Sequence, residues 1–94
     1  MTGSAARQLH KGIVLDDRYE ILEVIGSGGF GITYKAVSLN QDKTVAIKEF
    51  FCQEYMTRDA EAYPAARVYL EGYQERFESD RRKFLMEARI IRHF

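Results

Sequence analysis

Hydrophobic residues along this chain fall in three short clusters, then a mixed aromatic stretch, then a helical repeat. The first cluster, "YEILEVI" from Tyr19, is rich in β-branched and aromatic residues and is halted by Gly26, which predicts a strand. After a run of glycines, "ITYKAV" reads as a second strand, "SLNQDK" as a polar turn and "TVAIKEFF" as a third strand. Three consecutive strands with short links predict an antiparallel meander. Residues 1–15 are small, polar and unpatterned, and are expected to form a flexible lead-in.

Residues 52–82 differ in character: they hold the only proline, Pro64, and Tyr55, Tyr63, Tyr69 and Tyr73. Their first half is expected to be loop. Tyr69, Tyr73 and Phe77 recur at helical spacing, which predicts a short, locally packed helix despite Gly72. The strongest helix is predicted in "SDRRKFLMEARIIRHF", with Ser79 as N-cap and Asp80 suited to the helix dipole. Phe84, Ala88 and Ile91 make its apolar face. Glu87, three residues after Phe84 and four before Ile91, shares that side and needs a partner there.

Ninety-four residues make one small domain at most. With 14 basic and 14 acidic side chains there is no electrostatic case for nucleic acid or an anionic membrane surface. Cys52 is alone, so no internal disulfide can form, and His10 and His93 are too far apart in sequence to complete the usual zinc pairs. The lone cysteine makes the cytoplasm the default expectation, and since no apolar run approaches the roughly 18 residues that span a bilayer, a soluble chain is expected.

"IGSGGFGITYKA" carries the clearest chemistry. Gly26, Gly28 and Gly31 fit G-x-G-x-x-G, a spacing that lets main-chain N–H groups approach phosphate oxygens. A dinucleotide-binding loop would lead straight into a helix, whereas strand-forming residues follow here. A phosphate loop of the Walker type would need Lys after Gly31, and Ile32 stands there. What remains is a glycine-rich hairpin folding over a nucleotide as a flap. A flap needs a cation on the neighbouring strand, and Lys48, at the end of "VAIK", can supply it. Glu87 could then hold that ammonium in place.

Together these features resemble the N-terminal lobe of a protein kinase, most of all bacterial Ser/Thr kinases whose loop reads GGFGITY, over residues 19–94. The resemblance implies an incomplete α+β lobe, with a twisted antiparallel sheet and a C-terminal αC-type helix. The partial kinase domain would cover residues 16–94, with a long insert at about 52–82. By that resemblance Ile25 and Ala46 border the adenine of ATP. Gly26, Ser27, Gly28, Gly29, Phe30, Gly31, Ile32 and Thr33 form the loop over the phosphates, and Lys48, oriented by Glu87, contacts the α- and β-phosphates. Thr33 replaces the family's usual Val and puts a hydroxyl near the base. Lys48 and Glu87 are 87 − 48 = 39 residues apart, roughly twice the separation of a compact lobe.

The Mg²⁺ ligands and the catalytic Asp of kinases lie in the other lobe, and Arg58-Asp59 in "TRDAEAYP" is a false match to the catalytic loop. The chain therefore reads as a truncated lobe, inactive alone, of a kinase that phosphorylates protein hydroxyls. An exposed apolar surface on the last helix is expected to promote self-association. Two other readings stay open. One is a pseudokinase or regulatory module that docks through the tyrosine-rich insert; the other, a dinucleotide-binding enzyme, requires residues 32–37 to be helical.

Overall fold

The computed structural model describes residues 8–59 and 63–91, the last five of these as helix backbone. Strands β1 (Val14–Leu15), β2 (Tyr19–Ser27), β3 (Gly31–Ser38) and β4 (Lys43–Phe50) form one antiparallel sheet in sequence order. This is the predicted meander with one short strand added at its edge. Residues 32–37 lie in β3, which removes the dinucleotide-binding reading.

The sheet has one apolar face because side chains alternate along a strand. On β3, Ile32, Tyr34 and Ala36 are buried, and they stand opposite Glu49, Ile47 and Val45 of β4. Thr33 and Lys35 point to the other face, opposite Lys48 and Ala46. Asp16 and Asp17, both at positive φ, make the tight turn from β1 to β2 that the strands' twist favours.

Three expectations change. The first is the lead-in: Leu9 is 6% exposed and joins the core, and residues 14–15 pair with β2, so residues 8–15 belong to the fold. Second, the insert contains an antiparallel hairpin, β5 (Met56–Arg58) with β6 (Ala66–Val68), where loop was expected. Strands of three residues are too short to show alternation in a sequence.

The third change is helical. Helix α1 spans Gln74–Ile91, so Ser79 is not an N-cap but lies inside it. No breaker separates Gln74 from Ser79, and the Phe77 amide already bonds the Tyr73 carbonyl at 2.9 Å. Gly72, at φ +86°, is the break, which leaves Tyr69 outside the helix. Asp80 accordingly serves no helix start; it accepts a hydrogen bond from the Tyr55 hydroxyl at 2.7 Å.

Tyr34, Phe51, Tyr55 and Ile21 are the largest fully buried side chains, each contributing about 2 kcal/mol through burial. Helix α1 docks on β4 through Phe50, whose ring lies 5.8 Å from Phe77 and 5.5 Å from Phe84. Among the described residues, no helix is long and apolar enough to cross a membrane.

Candidate functional site

The glycine-rich turn joins β2 to β3 and lies against the end of β4. Gly26 stands opposite Thr33, and Thr33 opposite Lys48, so one row across three strands carries the first glycine, the hydroxyl and the ammonium. A cavity of about 250 Å³ opens on this row. Gly26, Ser27, Gly28, Phe30 and Gly31 line it from the turn, Thr33 and Lys48 from the sheet and Phe84 from the helix. A second depression of about 280 Å³ lies between Phe30 and the Asp80, Lys83 and Phe84 side chains, but includes neither Lys48 nor a glycine.

Lys48 is exposed, and among the described residues no carboxylate pairs with it. The Glu87 side chain, its expected partner, lies outside the described residues, as do those of Ala88 and Ile91. Phe84 does face the sheet. Ala46 is exposed on the same face as Lys48, two residues along β4. Ile25, 56% exposed, sits at an irregularity in the β2–β3 register and does not line the cavity.

Two loop residues depart from their expected roles. Ile32 is 4% exposed, with its side chain in the core on the opposite face, and it does not line the cavity. Gly31 is bare for packing: a Cβ there would lie 3.0 Å from both the Glu49 carbonyl oxygen and the Phe84 ring. Gly28 and Gly29 have nothing within 4 Å of a Cβ and border open space.

The opposite face of β4 holds residues that pattern reading missed. Arg58, 2% exposed at its side chain, grips Glu49 with contacts of 2.7 and 2.8 Å and bonds the Pro64 carbonyl at 2.8 Å. Its guanidinium lies 5.0 Å from the centre of the Phe51 ring. Burial opposes the Arg58 charge, but the hydrogen bonds and attraction from Glu49 outweigh it and raise its pKa. Tyr34 donates to Glu49 at 2.8 Å and accepts the Leu9 amide at 3.0 Å. Burial above all raises the Tyr34 pKa; the Leu9 amide opposes the shift and the Glu49 carboxylate adds to it. A sequence signal existed: Glu49 shares the apolar face of Val45 and Ile47, where a carboxylate needs a partner.

No protein-family model and no curated protein matches the chain. Among solved structures, the apo form of PpkA-294, a bacterial Ser/Thr kinase, superposes with a TM-score of 0.82 at 31% sequence identity. The alignment covers 94% of this chain and 30% of that one. The fold is that of a protein-kinase N-lobe. By that likeness α1 corresponds to the αC-type helix of an N-lobe.

Proposed function

We propose that this chain binds ATP between its glycine-rich turn and β4, as the nucleotide-binding lobe of a Ser/Thr protein kinase. The observation that carries this reading is the single cavity shared by Gly26, Gly28, Gly31 and the exposed Lys48. Loop amides approach the phosphates, the Lys48 ammonium takes the α- and β-phosphates, and Phe30, 52% exposed at the turn, covers them. Ala46 and Ile25 border the base, with the Thr33 hydroxyl near it. Glu87 holds Lys48 in the phosphate-facing position.

Mg²⁺ would add charge neutralisation on the phosphates, and no residue of this chain is assigned to it. By this reading the 94-residue chain binds nucleotide weakly and transfers no phosphate, because the catalytic carboxylates belong to the other lobe. The kinase as a whole would phosphorylate protein hydroxyls in the cytoplasm.

The test is titration of the chain with ATP and with adenosine. Lys48→Met should weaken ATP binding about 10- to 150-fold and leave adenosine unaffected, since a charge-assisted contact contributes about 1.5–3 kcal/mol. In a chain that includes the second lobe it should abolish phosphate transfer. Equal ATP affinity in wild type and variant would overturn the reading.

A further inference from the structure

The glycine-rich turn is tied down by the turn that follows β4. Three consecutive carbonyls take donors from residues 51–53. The Phe51 amide bonds the Phe30 oxygen at 3.0 Å, and the Gln53 amide bonds the Gly29 oxygen at 3.3 Å. The Gln53 side-chain Nε2 donates to the Gly28 oxygen at 3.2 Å.

A trans peptide points its N–H opposite its C=O. With the oxygens of Gly28, Gly29 and Phe30 turned toward residues 51–53, the amides of Gly29, Phe30 and Gly31 point the other way. Carbonyl oxygens repel a phosphate and amides attract it, so this orientation favours an anion on the free side of the turn.

The donors stand on firm ground. Phe51, Cys52, Tyr55 and Met56 are all buried, and the Met56 amide closes the turn onto the Cys52 carbonyl at 2.9 Å. Gln53 projects from that anchored turn while itself remaining exposed. Two of the three bonds come from the main chain, and only the third depends on a side chain.

We propose that Gln53 is a positioning residue that holds the Gly28 carbonyl away from the nucleotide and thereby sets the affinity of the loop for phosphates. This rests on the ATP reading above. The start of the insert is then a structural support for the loop rather than a separate appendage.

The test compares wild type, Gln53→Met and Gln53→Ala by titration with ATP and with adenosine, and by chemical unfolding. Met keeps the length of the side chain and removes the donor. Both variants should bind ATP about two- to tenfold more weakly, the range of one lost hydrogen bond, with adenosine affinity and unfolding midpoint unchanged. Unchanged ATP affinity would overturn the proposal while the ATP reading stands, and an equal loss for ATP and adenosine would do the same. Wild type that binds neither ligand would overturn the ATP reading, and this proposal with it.

Discussion

Lys48 and Glu49 are neighbours on β4 with opposite surroundings. Glu49 turns to the core face, where Arg58 bonds both of its oxygens and Tyr34 one of them. Lys48 turns to the loop face, exposed beside an open cavity. One peptide bond separates a charge spent on stability from a charge exposed at the candidate site. The strand's period of two lets a small sheet do both, with the fold held from behind and the site kept open in front.

The largest stability effect should come from behind. Arg58→Ala strands Glu49 beside the core and should cost about 3 kcal/mol in denaturant unfolding, the lower end for broken buried pairs because Glu49 keeps some water. A loss under about 1 kcal/mol would break the contrast between the faces. Next comes the boundary: Gly31→Ala should cost about 1–3 kcal/mol, because the Glu49 carbonyl cannot yield, while Gly28→Ala should be nearly silent.

Tyr34→Phe should cost about 1 kcal/mol by leaving the Leu9 amide and Glu49 short of a partner. It also sharpens the contrast through pH. The Tyr34 pKa is raised above its ordinary 10.0, so its stabilisation is complete below pH 10 and is lost as pH rises through the folded-state value. Tyr55, raised by burial and then by the Asp80 hydrogen bond, acts in the same direction. Unfolding midpoints measured across this alkaline range should decline in wild type and less steeply in Tyr34→Phe. Smallest of all, Lys48→Met should shift stability by no more than about 0.5 kcal/mol while weakening the proposed ATP binding by about an order of magnitude or more. A large stability loss there would mean that the front face also holds the fold together.

The meander was legible because β2, β3 and β4 are long enough to display period-two alternation and are punctuated by glycines and a polar turn. The β5–β6 hairpin was not, since three-residue strands register against each other through Arg58 and the core rather than through any pattern of their own. Helix α1 was recognised by its Phe84 face, but its start was misplaced because Ser79 looks like a cap in isolation, whereas Tyr73 and Gly72 fix the first turn. At the site, glycine spacing and Lys48 pointed to one place. Ile32 was drawn in only by adjacency, and alternation alone puts it on the other face. The need for a partner was recognised at Glu87 and overlooked at Glu49, because a strand's inner face is harder to tell from its outer one when a single carboxylate interrupts it.

Gly31 carries a consequence for descent. A lineage under no demand to bind a ligand at this turn would still be held to glycine at position 31, because Phe84 and the Glu49 carbonyl occupy the space a methyl group would need. Position 28, facing open space, would be free to drift. Of these two motif glycines, it is Gly28 whose persistence among descendants would testify to a ligand, while that of Gly31 testifies only to a helix resting on a sheet.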